Sequence, residues 1–470
     1  MEALQRQYAS TLRARECLFS LQQDAADSNL RTLLAHYGIT PPTASPSFVL
    51  KKGVQVFRID RAKQSAYSEL LRKSRMRLPD LIRIVRGETS SDPRPNKALS
   101  VPDQLPCWKS YQYKDEWRDI VTHGVRPTWK NEFPKQTRPP QNHGSALPAL
   151  NIVIKSLRKG QDDNRYLILD INLLPLLEGV TCSPFGAVPN GEADLSVDGR
   201  VIHDLSCPKG TSVNDQVQDE PTITVTYDGA AVLAQRILDV EQEFPGLARM
   251  ATGDVAGAFR NIPLAAEAAC RFAGTLPELG ILVIDLSCPF GWSDSPRQYW
   301  SAGGAIVHLH AQSSPTWPEQ GATANGNFDG KDWCDDHICI EPEVGTRLSE
   351  ASISLRTAMV TILGPHACNE EKFTSWFVEG KALGLHWNLT RLTLAMPEEK
   401  ITKALGRIHD MYVSETTTRK QLNKLLGSLR HVATCIRATA PFFQRIAALA
   451  RATNRFQRSA ISEDVREDLR

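Results

Sequence analysis

Apolar and polar positions follow three rhythms along this chain. Up to about residue 104 the pattern is polar and basic, and its best element is a helix predicted over Arg61 to Ile84, broken by Pro79. From Pro127 to Pro148 (PTWKNEFPKQTRPPQNHGSALP) Pro, Asn and Gln crowd out any period, which predicts loop. Strands and helices then alternate. Arg165–Asp170 is a short apolar run, and Gly199–His203 reads as a strand after an Asp-Gly turn. Ala230–Glu243 has helical period, with Val232, Leu233, Ile237 and Val240 on one face. Cys270–Leu276 and Leu282–Leu286 read as strands joined by Pro-Glu-Leu-Gly. Ser295-Pro296 is a helix start, with serine as the cap and proline in the first turn, and that helix is expected to reach about His308.

From Lys400 the pattern is helical to the end. Leu405, Ile408 and Met411 share one face, as do Leu422, Leu425, Leu426 and Leu429. Lys400, Lys403, Arg407, Lys420, Lys424 and Arg430 lie between them, which predicts helices with a basic outer surface. The fold class expected is α+β.

Bulk properties narrow the function classes. A chain of 470 residues with 41% hydrophobic and 23% charged residues is ordinary for a globular protein with a large core. The net charge of +2 hides an asymmetry, because residues 51–90 carry 11 Lys/Arg against 4 Asp/Glu. Such a local excess suits a polyanionic partner. The 10 cysteines show no CxxC pair, which argues against a zinc ribbon and for reduced thiols. The start, MEALQRQYASTLRARE, lacks the apolar core of a signal peptide, and no uncharged apolar run approaches the ~18 residues of a membrane span. An intracellular, soluble protein is expected.

The candidate chemistry lies in carboxylates placed where strands end. Asp254 leaves a strand for a small-residue turn in Met250-Ala-Thr-Gly-Asp-Val-Ala-Gly-Ala-Phe-Arg260. Asp335 and Asp336 are expected at the tip between two apolar half-strands in Trp333-Cys-Asp-Asp-His-Ile-Cys-Ile340. Carboxylates that converge repel one another, so a site built from these would need cations. Hard oxygen donors suit Mg²⁺, and two such ions can activate a 3′-hydroxyl and steady a pyrophosphate leaving group. His308, His310, Cys334, His337 and Cys339 lack zinc spacing, and core or turn roles are expected for them.

These segments resemble the motifs of reverse transcriptases. D-V-A-G-A-F-R-N-I-P-L (Asp254–Leu264) resembles the first aspartate motif, and C-P-F-G-W-S-D-S-P (Cys288–Pro296) the following P-F/Q-G motif. W-C-D-D (Trp333–Asp336) resembles the acidic box with tryptophan in place of tyrosine, and A-L-G-L-H-W (Ala382–Trp387) the later primer-grip segment. They occur in family order over about residues 180–440. S-P-F-G-A-V-P (Ser183–Pro189), Arg200–Asp215, L-A-M-P-E-E-K-I (Leu394–Ile401) and Thr418–Ile436 further resemble the DIRS-like, tyrosine-recombinase retroelements.

The resemblance implies a right-hand polymerase. It divides the chain into a basic region over 1–104, fingers over 105–249, a palm with an antiparallel sheet over 250–396, and a helical thumb and connection over 397–470. It implies an RNA-directed DNA polymerase in which Asp254, Asp335 and Asp336 hold two Mg²⁺, with Mn²⁺ as a substitute. Arg200 is implied to meet the incoming triphosphate, Ala258 and Phe259 to lie under its sugar, and Phe290 and Gly291 to line the nucleotide and template side. Lys372 is a candidate proton donor to pyrophosphate. Lys400, Lys403, Lys420, Lys424 and Arg430 are expected on the primer-template, and the implied partners are an RNA or DNA template with primer and deoxynucleoside triphosphates, with no membrane. One departure stands out: where a fingers lysine often follows G-A-V-P, this chain has Asn190, Gly191 and Glu192. The end at Arg470 falls about where related elements continue into RNase H, implying other polyprotein parts, RNase H or recombinase, as partners. A decayed copy that only binds nucleic acid, and an RNA-directed RNA polymerase, are the competing readings.

Overall fold

The computed structural model describes residues 2–136, 138–191, 194–218, 223–315, 326–454 and 456–470. In chain order, the elements that frame the site begin with helices α1 (Glu2–His36), α2 (Arg61–Ser74), α3 (Leu78–Val85) and α4 (Leu150–Asp162). Strands β1 (Tyr166–Asp170), β2 (Phe185–Val188) and β3 (Arg200–His203) follow, then helix α5 (Ala230–Glu243) and strand β4 (Ala248–Asp254). Next come β5 (Ala273–Leu276), β6 (Ile281–Asp285), helix α6 (Ser295–Ala311), β7 (Gly330–Trp333) and β8 (Asp336–Pro342). Helices α7 (Glu398–Val413) and α8 (Arg419–Cys435) lie toward the C-terminus. The fold is mixed, with helices and antiparallel sheets. Among the described residues no helix is long and apolar enough to cross a membrane.

Two compact units emerge. The first gathers residues 1–226, 254–314 and 349–370. Its sheet has the order β1-β6-β5, both pairs antiparallel, with Ile168 and Gly274 each opposite Val283. The centre strand is buried at every position, as its run Ile-Leu-Val-Ile-Asp requires. Helix α4 closes one face with Val153 and Leu157, packed with Ile168, Phe185, Ile281 and Val283. The predicted Arg61–Ile84 helix is two helices, because Pro79 can sit only in a first turn. Asp60 caps α2 by accepting from the Lys63 N–H, and Arg75 ends it at φ 54°. Cys270–Leu276 is strand only from Ala273, since Ala266–Ala269 forms a helical turn before it. The α6 start is shifted by one residue. Asp294 occupies the cap position, while the buried Ser295 hydroxyl donates to the Pro289 carbonyl at 2.7 Å.

The second unit gathers residues 227–253, 315–348 and 371–470. Its sheet has the order β4-β8-β7. The Glu343 N–H donates to the Leu247 carbonyl at 2.8 Å, and Arg249 pairs with Glu343 at 2.5 Å. The start of β4 therefore lies at the end of β8, and the two run in opposite directions. Helix α5 covers this sheet with Leu233, Ile237 and Val240, packed on Met250, Ile338, Ile340 and Trp387. Val232, expected on the same face, is exposed instead. The C-terminal helices bury Met411, Leu422, Leu425 and Leu426 with Ile446. Leu405 was expected with Met411 but is exposed, because the buried stripe of α7 runs through Ala404 and Met411.

Candidate active site

Asp254 ends strand β4 and is buried, 3% exposed. Within the first unit Asn369 holds it twice: the Asn369 side-chain amide donates to Asp254 Oδ2 at 2.8 Å, and its main-chain N–H donates to the Asp254 carbonyl at 3.0 Å. One carboxylate oxygen is thereby aimed by a residue 115 positions away. Sequence reasoning passed over Asn369, whose one local signal was its place three residues before Lys372. Lys372 itself ends a short 3-10 turn, Glu370–Lys372.

The acidic box lies in the second unit, at the β7–β8 hairpin. Trp333 pairs with Asp336 and Asp332 with His337, so the turn is Cys334–Asp335 rather than the Asp335–Asp336 tip expected from sequence. The reason is register: the apolar half-strands pair so that Asp336 is already the first residue of β8, and Cys334 takes the left-handed φ of 63°. Asp335 is half-buried and Asp336 exposed. Trp333 lies 5.5 Å from the Tyr227 ring, which fixes the flank of the turn. His337 and Cys339 are buried strand residues, as expected.

Behind the turn is a carboxylate that sequence reasoning also missed. Asp332 is 2% exposed, its N–H donates to Asp228 Oδ2 at 3.2 Å, and the Asp228 N–H donates to the Asp332 carbonyl at 2.9 Å. Burial first, and the Asp228 carboxylate second, push the Asp332 carboxyl up to about 8. Unfolded, it would lose its proton near its ordinary value of ~3.9. Between about pH 4 and pH 8 the folded chain thus binds more protons than the unfolded one, so stability falls as pH rises through that window. Asp332→Asn should remove on the order of 4 kcal/mol of that decline between pH 5 and pH 8. Urea unfolding of both proteins at pH 5 and pH 8 checks it, and equal declines would show that Asp332 is already ionised in the fold.

Among the described residues no three His, Cys, Asp or Glu side chains form a group that could hold a metal ion. Asp254 belongs to the first unit, and Asp335 and Asp336 to the second. The sheet topology relates them through the chain alone: β4 runs into Asp254, and its neighbour β8 starts at Asp336.

The first unit does bring together several residues expected around a nucleotide. Gly257 at φ 74° turns the chain after Asp254, and the buried Ala258 opens the 3-10 turn Ala258–Asn261. Phe259 is half-buried, its ring 5.0 Å from Phe290 and 5.7 Å edge-on to Tyr299. Phe290 is exposed at the surface of this aromatic group. Gly291 takes φ 109°, and a Cβ there would lie 2.5 Å from the His203 carbonyl, so only glycine lets the segment approach β3. Asn214 adds a clamp, donating to the Gly291 carbonyl and accepting from the Ser293 N–H, both at 2.9 Å. The Arg200–Asp215 segment is thus docked on Cys288–Pro296. Arg200 begins β3 opposite Val188 and is exposed. Asn190 and Gly191 follow the β2–β3 hairpin's first strand, and Glu192 lies outside the described residues.

The basic residues of the C-terminal helices divide. Lys403 on α7, and Lys420, Lys424 and Arg430 on α8, are exposed. Lys400 is half-buried and donates to the Gly384 carbonyl at 2.8 Å.

No family model and no curated protein matches the sequence. Solved structures that resemble the chain include three of a foamy viral protease-reverse transcriptase. One, in complex with double-stranded DNA, has a TM-score of 0.46 and 12% identity over 79% of this chain and 57% of its own length. Another, with an RNA/DNA hybrid, has a TM-score of 0.44 and 14% identity over 79% and 44%. A third, with double-stranded DNA, has a TM-score of 0.45 and 13% identity over 79% and 68%. The match thus spans little more than half of the first of these chains.

Proposed function

We propose that this chain is an RNA-directed DNA polymerase of a retroelement, of the DIRS-like group, built as fingers, palm and thumb. The observation that carries this reading is the sheet order β4-β8-β7, which makes neighbours of the strand that ends in Asp254 and the strand that starts at Asp336. Asp254 and Asp335 would hold two Mg²⁺, with Asp336 completing the acidic cluster. This all-oxygen, anionic donor set fits a hard cation. When bound, the ions would supply activation of the primer 3′-hydroxyl and neutralisation of charge on the leaving pyrophosphate.

The chain's own groups do the positioning. Asn369 keeps one Asp254 oxygen oriented. The Arg200 guanidinium offers forked donors to the triphosphate of an incoming deoxynucleotide. The glycine backbone at Gly291 permits close approach beside the Phe259–Phe290 pair. Lys372 would return a proton to pyrophosphate. Lys400, Lys403, Lys420, Lys424 and Arg430 would carry the primer-template phosphates. Asn190 in place of a lysine removes one triphosphate contact and supports slower turnover than in relatives that keep it.

Extension of oligo(dT) on poly(rA) with Mg²⁺ and dTTP tests the reading. Labelled product that depends on both template and metal is expected. Binding without extension would leave a nucleic-acid-binding relic.

Phe259 separates DNA from RNA synthesis. Its half-buried ring, held by Phe290 and Tyr299, offers no hydrogen bond to a 2′-hydroxyl. Burying that hydroxyl unpaired costs roughly 1–3 kcal/mol, so ribonucleotides should be rejected by about tenfold or more. Phe259→Val should lower the ratio of deoxy- to ribonucleotide efficiency by about that factor. An unchanged ratio, with both proteins active, would leave Phe259 a packing residue.

A further inference from the structure

Helix α1 lies along the first unit on one narrow face. Tyr8, Arg15, Phe19 and Ala26 are half-buried at helical spacing and lead to the buried Leu30 and Leu34. Leu18 and Leu21, off that face, are exposed. Full burial is confined to the C-terminal turns, so apolar packing does little to hold the half from Tyr8 to Phe19 in place. That half instead makes specific contacts, and they converge on one segment beside Asp254.

Arg15 donates to the Ala98 carbonyl at 2.8 Å and to the Ser100 hydroxyl at 3.0 Å. Ser100 passes this on: its hydroxyl donates to the Thr361 carbonyl at 2.6 Å and its N–H to the Ile362 carbonyl at 3.3 Å. Beyond that anchored point runs segment 366–370, which α1 also holds directly. The Phe19 ring stands edge-on to His366 at 5.9 Å, and the Tyr8 hydroxyl is hydrogen-bonded to the Cys368 thiol. Arg356 ties down the far end by donating to both Glu370 carboxylate oxygens, at 2.9 and 2.8 Å. The same segment carries the Asp254 turn. Val255 and Cys368 form an antiparallel bridge, and the Ala256 N–H donates to the Ala367 carbonyl at 2.8 Å. Asn369 then holds Asp254 by its side-chain amide and its N–H. Segment 366–370 thus joins α1 to Asp254, bonded to both.

We propose that α1 braces the Asp254 carboxylate, with Tyr8 and Phe19 as positioning residues that act through segment 366–370 and Asn369. The geometry leaves little slack. The Asn369 amide reaches Asp254 Oδ2 at 2.8 Å, and such a bond is lost by about 3.6 Å, so a shift of under ~1 Å in the segment releases the oxygen. Misplacement on that scale can cost about a hundredfold in rate. The N-terminal helix, which lies outside the motifs around Asp254, thereby takes part in setting the site. That the brace serves catalysis rests on the polymerase reading; that it fixes Asp254 does not.

Tyr8→Ala combined with Phe19→Ala, in the full chain, tests the brace. Amide hydrogen exchange followed by mass spectrometry reads it without catalysis. The Ala256 and Asn369 N–H groups, whose acceptors lie across the bridge, should exchange about tenfold faster or more. Strand β6 should keep its protection. Leu18→Ala with Leu21→Ala, on the exposed side of α1, should leave every segment as in the wild type. In primer extension the Tyr8/Phe19 variant should lose about tenfold or more in kcat with an unchanged KM for dTTP. Combined with Asn369→Ala, it should cost nothing beyond Asn369→Ala alone. Unchanged exchange at Ala256 and Asn369 would overturn the brace, and equal acceleration in β6 would make α1 a general stabiliser instead. Losses that multiply with Asn369→Ala would overturn the route through Asn369. Tyr8→Phe, which removes only the hydroxyl, should show the same exchange pattern in smaller measure; it decides the matter if the double variant does not fold, and no change there would overturn the brace. A wild type that extends no primer would end the polymerase reading, while the exchange pattern would still decide the brace.

Discussion

Asp254→Asn and Asp335→Asn should each abolish primer extension, lowering the rate by about three decades or more, while leaving the fold and template binding in place. Each substitution removes a charge from the cluster proposed to hold Mg²⁺, and a lost ligand of this kind costs roughly 4 kcal/mol of transition-state stabilisation. The fold should survive. Asparagine at 254 keeps a side-chain oxygen that can accept from the Asn369 amide, and the main-chain bond between the two residues is untouched. Asp335 lies in a two-residue turn and is half-buried, so its amide can stay solvated. Single-turnover extension with saturating primer-template measures the rate, and filter binding of the same duplex measures retention. Extension at near wild-type rate by either variant would remove the metal-site assignment. Loss of duplex binding in parallel would mean that the substitution had disturbed the fold.

Affinity for primer-template should fall about a hundredfold between 50 and 200 mM salt if the four exposed cations Lys403, Lys420, Lys424 and Arg430 each meet a phosphate. Each contact releases condensed counterions, so the slope of log affinity against log salt counts the contacts. Lys420→Glu combined with Lys424→Glu, one turn apart on α8, should flatten that slope by about two. Lys400→Ala should change it less, because its ammonium already donates to the Gly384 carbonyl. Scrambling the template sequence should alter affinity little, since phosphates carry no sequence. Fluorescence anisotropy on one labelled duplex across the salt series is sufficient. A flat dependence would assign these side chains to solubility.

Local rhythm alone delimited several elements. Ala230–Glu243 is helical over the residues expected, because Leu233, Ile237 and Val240 recur at helical spacing and face one core. The longest helix was missed. Helix α1 spans 35 residues but buries only Leu30 and Leu34, so its chain carries almost no apolar stripe to read. Its face is defined by what packs against it, including His366, 5.9 Å from Phe19, and that partner is hundreds of positions away.

What the sequence by itself determined about this protein is where chemistry-bearing residues stand relative to turns: an aspartate at a strand end, an acidic pair at a hairpin, glycine where a backbone must come close. Such information is local, because turn geometry and side-chain alternation depend on a few neighbouring residues. Only the tertiary structure decided which groups surround them. The hairpin register made Cys334–Asp335 the turn and Asp336 a strand residue. Asn369 came to Asp254 across 115 positions. Asp228 met Asp332 across 104, raising its proton affinity through burial and like charge. Hydrogen-bond partners and desolvation are properties of packed surroundings, and no window of sequence contains them.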